Sequence, residues 1–491
     1  MALAVVLVPV SYIVVRATDQ GWSTFHATFW RRRTFDLVVR SAGLGITVTA
    51  VSLVVGIGAA WLVASTDVPG RGLWRALLAT PLALPSYVAA WAWIGWRPSL
   101  AGFTGAVIVL SSISYPYVYL PVLGALHRTD PALAEVARAC GRGPLAVFVS
   151  ITLRQLRVPA LGGAILVMLY SLSEFGGVAI MRYETLTYVI YHSYRASFDR
   201  TPAAVLGCVL VAVTIVPLVL AVWSSERARV ARVGGGSARR PAVIRLGVWR
   251  WPACLALAAV VGISLGVPAW NLLRWIERGS SRAVWSDVLD AGLSTVWLAA
   301  LAAGATLLLA FPLGVMSVRH PGRFSRTITS VAYAGHTLPG ITIALSLVFF
   351  GIRYLPGFYQ RTPMLIGGYV VLFLSLAVGA VQASIAQIPR GLDDVARAAG
   401  RTQWGVWRSV TIPLATPGLG AAATLVFIAA AKELPATLLL RPIGVDTLAT
   451  RLWTMTDAAA YAAAAPYAAA LVVVAVLPTL LLTRAGRLDR P

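Results

Sequence analysis

A chain of 491 residues that is 58% hydrophobic and only 12% charged, with mean hydropathy +0.78, is no ordinary soluble domain. Its net charge of +23 arises from 41 basic against 18 acidic side chains. The basic residues are scattered between apolar runs and form no nucleic-acid-binding motif, which sets a nucleic-acid partner aside.

Apolar runs long enough to cross a bilayer recur along the chain. They fall at 2–15, 41–65, 76–96, 101–126, 159–181, 202–223, 251–273, 291–317, 327–353, 362–386, 417–440 and 462–483. Backbone polar groups cannot go unpaired in lipid, so these runs predict helices rather than open strands. The expectation is an all-α polytopic membrane protein of about 12 transmembrane helices, six per half. Residues 1–223 form the first half, 224–250 a basic linker and 251–491 the second half. The run 2–15 is short and stops at Arg16. It is either a shortened first helix or a cleaved signal peptide, although no convincing small-residue cleavage site follows.

The first informative loop, 127–158, is polar and broken by glycine. Asp130-Pro131 reads as a helix start, with an acid at the N-cap and proline at the first helical position. Ala132 to Cys140 then makes about two and a half turns, which Gly141 and Gly143 end. A second short helix carries Leu145, Phe148 and Ile151 on one side. The loop 387–418 repeats this pattern at a constant offset. Glu135 matches Asp394, Ala137 matches Ala396, Gly141 matches Gly400 and Phe148 matches Trp407. A repeat of this length means two copies of one module in one chain. Apolar anchors beside charge suit a helix that seats in a partner's groove; packing on the chain's own bundle is the plainer alternative.

The offset continues into the apolar runs, where Glu174 falls on Glu433 and Arg182 on Arg441. A charge at mid-membrane costs about 2.5–3.5 kcal/mol on insertion scales. Glu174, Lys432 and Glu433 therefore either line a wet translocation path or form a structural ion pair. Arg182, Tyr183, Glu184, Arg441 and Asp446 sit where two runs reach the outer face. They are placed to gate the path or to meet an external binding protein, or else they anchor helix ends. Pro85 and Pro339 also match across the halves and kink their helices.

Orientation follows the distribution of positive charge. With both loops in the cytoplasm, 24 arginines lie on that side and 16 outside, the linker 224–250 alone holding seven. Both termini then lie in the cytoplasm. Cys140, Cys208 and Cys254 show no metal-type spacing, and no two histidines share ligand spacing, so no metal site is expected.

These loops resemble the cytoplasmic EAA loop of bacterial ABC importer permeases, and the likeness covers both halves of the chain. It implies a type I ABC importer permease fold in the bacterial inner membrane. It also implies coupling positions at Glu135, Ala137, Gly141, Asp394, Ala396 and Gly400, and two ATPase subunits docked on the loops. A periplasmic or lipid-anchored substrate-binding protein completes the expected set of partners. Asp394 departs from the usual glutamate, and Arg154 stands where the second copy has Pro413. Fusion of two halves narrows the resemblance to the ferric-iron and thiamine branches. The segments Pro81-Leu82-Ala83-Leu84-Pro85-Ser86-Tyr87, Glu174-Phe175-Gly176-Gly177 and Lys432-Glu433-Leu434-Pro435 are similar to the ferric-iron permeases.

The chain has no phosphate-binding Gly-x-x-x-x-Gly-Lys-Ser/Thr loop and no catalytic constellation. It is expected to be no enzyme and to hold no cofactor, with ATP and Mg used by the ATPase partners. A twelve-helix secondary transporter is the rival from another class. It shares two halves and a basic linker but has no need of matched docking loops.

Overall fold

The computed structural model describes residues 11–19, 21–127, 132–196, 200–228, 243–279, 285–323, 325, 327 and 338–488. Among them the only β-type pairing is an isolated bridge between Thr66 and Ile244; the rest of the regular structure is helical. Eight described helices are long and apolar enough to cross a membrane. They are α1 (Arg32–Ser65), α2 (Phe103–Leu126), α3 (Thr201–Leu220), α4 (Gly247–Arg278), α5 (Trp285–Arg319), α6 (Thr362–Ala386), α7 (Gln403–Ala431) and α8 (Tyr461–Pro478).

The remaining predicted spans take other forms. Run 2–15 lies mostly in residues 1–10, outside the described residues, as do Asp130-Pro131, the linker glycines 234–236 and residues 328–337 of the run 327–353. What is described of that last run is a shorter apolar helix, Gly340–Tyr354. Run 76–96 is not one straight helix. It divides into Arg71–Ala83 and Ser86–Trp96, bent by 94°. Proline contributes: Leu84 is extended, with ψ of 125°, because a residue before proline is pushed out of the helical region, and Pro85 is extended as well, with ψ of 141°. Runs 159–181 and 417–440 are also interrupted. The first stops at Ser173 and resumes at Gly176–Ile180; the second stops at Ala431 and resumes at Pro435–Leu440.

Helix packing follows from where small and large side chains fall. On α1 the buried residues Leu37, Ser41, Leu44, Val48, Ser52, Gly56, Ala60 and Val63 recur every three or four positions. That spacing is one helical face. Ile46 and Val54 point the other way and are exposed, as a lipid-facing stripe should be. The inner faces approach closely because they are small. A Cβ on Gly163 would lie 2.7 Å from the Tyr117 carbonyl oxygen, so only glycine fits there. Ser52 and Ser114 hydroxyls pair at 3.2 Å across α1 and α2.

The described residues gather into two compact units, and each takes segments from both sequence halves. One contains residues from 32–188 and 212–277, so α4 belongs with α1 and α2. The other contains residues from 1–31, 189–211 and 278–491. Compactness thus groups the helices differently from sequence repetition.

Candidate functional site

The two glycine-broken loops fold alike. In the first, the helix Ala132–Ala139 ends at Gly141, whose φ is +80°. The Arg142 N–H then donates back to the Ala137 carbonyl at 3.1 Å. In the second, Arg390–Ala398 ends at Gly400, with φ of +77°, and Arg401 N–H donates to Ala396 O at 3.1 Å. This reverse bond over a left-handed residue closes the helix C-terminus and turns the chain sharply. Residues with a Cβ rarely adopt that backbone, which explains both glycines. Each loop then continues into a stretch of π-helix, Phe148–Thr152 in one and Trp407–Thr411 in the other. Such wide turns inside helices frequently mark functional places.

The matched residues divide into two sets. Ala137 and Ala396 are buried, while Glu135 and Asp394 are exposed. Asp394 has Arg397 at 3.5 Å, an exposed pair on one helix face worth little. Phe148 and Trp407 are half-buried and make ring contacts with membrane helices of their own unit. Phe148 lies 4.9 Å from Trp61 of α1, and Trp407 lies 5.8 Å from Phe311 of α5, ring to ring. The exposed apolar groups include Leu133, Val136 and Val149 in the first loop, and Leu392, Val395, Trp404 and Leu414 in the second. Leu133 matches Leu392 and Val136 matches Val395 at the same offset as the acids. The repeat therefore carries this signal in smaller side chains than the aromatics. Each loop shows solvent a leucine, an acid and a valine within four residues.

The two loops join their membrane helices differently. The segment Phe148–Gln155 meets Arg157–Ser173 at 67°. Its counterpart runs unbroken into the membrane as α7.

Glu174 and Glu433 sit at the two mid-span breaks. Glu174 Oε1 accepts from Gly177 N–H at 3.0 Å and from the Ser86 hydroxyl at 2.6 Å. Glu433 Oε1 accepts from Ala436 N–H at 3.1 Å. Both carboxylates thus cap the short helix that follows, serving N–H groups that have no intrahelical partner. The carbonyls freed by the breaks are served as well. Thr187 donates to Glu174 O at 2.6 Å, and Thr437 donates to Glu433 O at 2.7 Å. A broken helix survives at membrane depth only when its backbone groups are satisfied in this way. The halves differ in one respect: where Ser86 donates to Glu174, the second half has Gly340, whose Cβ would lie 3.2 Å from Glu433 Oε1.

Charge pairs mark the turns that carry Arg182–Glu184 and Arg441–Asp446. Asp446 pairs with Arg441 and with Arg451, the latter at 2.8 Å, next to a capping box of Thr447 and Thr450. Arg40 and Glu184 lie 3.6 Å apart, both half exposed, and Tyr183 donates to Arg40 O at 3.4 Å. Arg182 is exposed with φ of +55°, a strained backbone for a residue with a side chain. Among the described residues no cluster of three or more His, Cys, Asp or Glu side chains is placed to hold a metal ion.

Comparison with known proteins places this architecture. The sequence profile described as "Binding-protein-dependent transport system inner membrane component" matches residues 52–230 and again 306–490. The chain belongs to that family. It carries the family's module twice, and it is an ABC importer permease subunit with multiple membrane-spanning helices. A Haemophilus influenzae permease, "Fe(3+)-transport system permease protein FbpB 2", is 32% identical over 97% of this chain and 95% of its own length. The molybdenum transport permease ModB of Escherichia coli is 28% identical over 36% of this chain and 87% of its own. The sulfate transport permease CysW of Synechocystis is 25% identical over 44% of this chain and 86% of its own. Such single-module permeases cover less than half of the chain, while FbpB 2 covers both modules. Among solved structures, a chain of the inward-facing MetNI methionine transporter covers 42% of this chain and 96% of itself, at 20% identity and TM-score 0.35.

Proposed function

We propose that this permease carries ferric iron across a bacterial inner membrane, with both termini in the cytoplasm. Similarity along nearly the whole length of a Fe(3+)-transport permease is the observation that carries the cargo assignment. A periplasmic or lipid-anchored binding protein delivers the iron. Two ATPase subunits dock on the loops 127–158 and 387–418, using ATP and Mg that this chain does not bind itself.

Leu133, Glu135 and Val136, with Leu392, Asp394 and Val395, present the docking surface. Gly141 and Gly400 fix the turn that aims it, and Ala137 and Ala396 seat the helix against its own bundle. Phe148 and Trp407 pass displacement to the membrane helices. Closure of the ATPases moves the loops, and the bundle alternates between inward- and outward-open states. Glu174 and Glu433, with Lys432 beside the second, mark the translocation path. The turns bearing Arg182, Tyr183, Glu184, Arg441 and Asp446 meet the binding protein or gate the path.

The deciding experiment is radioactive iron uptake into proteoliposomes carrying this chain, its co-encoded ATPase and its binding protein, with and without internal ATP. Uptake that needs all components is expected. ATP-dependent uptake of thiamine but not iron would keep the machine and replace the cargo. Uptake driven by an ion gradient without the ATPase would leave a secondary transporter.

A further inference from the structure

The second loop is tied to the membrane helices by a buried ion pair whose matched positions in the first half, Asp67 and Ala134, carry no such pair of opposite charges. Arg319 is the last residue of α5, and Asp393 lies in the first turn of Arg390–Ala398. Arg319 Nε and Asp393 Oδ2 are 3.0 Å apart, with side-chain exposures of 8% and 10%. Arg319 Nη1 also donates to Ile388 O at 3.1 Å, just beyond the end of α6. A cation at a helix C-terminus meets an anion at a helix N-terminus, so both helix dipoles favour the pair. One arginine thereby joins α5, the chain leaving α6 and the docking helix. Two residues inward, the Ser317 hydroxyl accepts from Gln382 at 2.8 Å and ties α5 to α6.

The first half has the same frame with different chemistry. Both membrane helices run into Pro-Gly-Arg, at Pro69-Gly70-Arg71 and Pro321-Gly322-Arg323. Two residues before that proline stand Asp67 in one half and Arg319 in the other. The partner position is Ala134 where the second loop has Asp393. Asp67 points elsewhere, accepting the Leu246 N–H at 2.9 Å beside the Thr66–Ile244 bridge. The 67° bend below the first loop is a second, independent difference.

We propose that the Arg319–Asp393 pair is a strut that transmits the displacement of loop 387–418 to α5 and α6, and that the matched positions Asp67 and Ala134 give loop 127–158 no equivalent strut. The two docking loops of this single chain then do unequal work. The second drives the bundle, while the first moves through packing alone. A buried pair suits the task because pulling the partners apart would leave a charge stranded away from water. This inference rests on the reading of both loops as ATPase docking sites.

The test uses the full complex in proteoliposomes and measures ATP hydrolysis and iron uptake in the same preparation. Asp393→Asn and Arg319→Gln should hydrolyse ATP but lose about tenfold in uptake per ATP. The reversed double variant Arg319→Asp with Asp393→Arg should recover a substantial part. Arg319→Leu with Asp393→Leu replaces the pair by apolar packing that a fold tolerates. It should assemble normally and remain uncoupled. Ala134→Leu, which puts the same leucine at the matched place in the first loop, should leave uptake per ATP unaltered. Normal uptake per ATP in the double leucine variant overturns the strut, as does equal uncoupling by Ala134→Leu. Absence of ATP-dependent uptake by the native chain, run alongside, would instead count against the permease assignment itself.

Discussion

Gly141 and Gly400 stand 259 residues apart and end their helices with the same reverse hydrogen bond, at φ of 80° and 77°. A Cβ at either position would meet nothing within 4 Å, so the space around them is open. The constraint is therefore in the backbone and not in packing. Replacing both by alanine should cost about 1–2 kcal/mol at each turn and re-aim the docking helices. Asparagine, which tolerates this backbone, should do far less harm. The expected result is strong loss of ATP-dependent uptake in the alanine pair and near-native uptake in the asparagine pair. Equal activity in both would show that the turn does not aim the docking surface.

The exposed leucine–valine pairs offer a sharper test of docking. Leu133→Ser with Val136→Ser, or Leu392→Ser with Val395→Ser, removes apolar surface that no described contact in the chain buries. Thermal stability in detergent should stay within the small range typical of surface changes, about 0.5 kcal/mol. Co-purification of the ATPase should fall in each variant. Full retention of the ATPase in both would move the contact elsewhere.

Glu174 and Glu433 combine a charge with a structural task, and substitution separates them. Glutamine still accepts a backbone hydrogen bond but carries no charge; leucine does neither. Glu174→Leu should destabilise by about 1–3 kcal/mol through the stranded Gly177 N–H. Glu174→Gln should melt close to the native chain. If the carboxylate also serves the cation, the glutamine variant loses uptake while keeping its melting temperature. A stable glutamine variant with native uptake would reduce the residue to its capping task.

Arg182 holds a left-handed backbone that glycine adopts freely. Arg182→Gly should relieve about 1–2 kcal/mol of strain, offset by about 0.4–1 kcal/mol of added unfolded-chain entropy. Arg182→Ala keeps the strain and removes the same side chain. Melting of the two variants should differ in favour of glycine. A shared loss of uptake at limiting binding protein would assign a role to the guanidinium, and native uptake in both would remove that role.

Asp67 fastens the chain at the end of the basic linker. The Leu246 N–H is the main cause that holds its carboxyl below the ordinary value of 3.8, with Arg250 and Arg71 assisting. A lowered value means the contact adds stability above pH 3.8 and loses it as pH falls through the shifted value. Protection of the Leu246 amide against hydrogen exchange, corrected for the intrinsic rate, should hold from pH 8 down to pH 5. It should fall only below about pH 4, and in Asp67→Asn it should be weaker throughout. Loss of protection between pH 6 and 5 would contradict the assignment.

The repeat, the broken loops and the matched glutamates were legible because each is a local pattern that recurs at a fixed spacing. The interruptions of the spans were not. Hydropathy measures side chains and is blind to the direction of the backbone, so the runs 159–181 and 417–440 read straight through Glu174 and Glu433. Glycine after Phe175 and proline after Leu434 were the available hints, and both residues also occur inside unbroken spans such as α5. The ring contacts of Phe148 and Trp407 with Trp61 and Phe311 were not legible either, because spacing shows that residues share a face, not what that face meets. Arg319 and Asp393 were wholly illegible. They are 74 residues apart, and nothing in the neighbourhood of either announces the other.

Because each compact unit takes segments from both sequence halves, order of synthesis becomes a problem the cell must manage. Residues 32–188 leave the ribosome before residues 212–277 exist to complete their unit. The earliest part of the chain must wait longer still, until residues 278–491 have been made. A domain ordinarily folds as soon as it emerges. Here the first-made helices must rest in the bilayer incompletely packed, and a chain truncated after its first half would be left with neither unit whole.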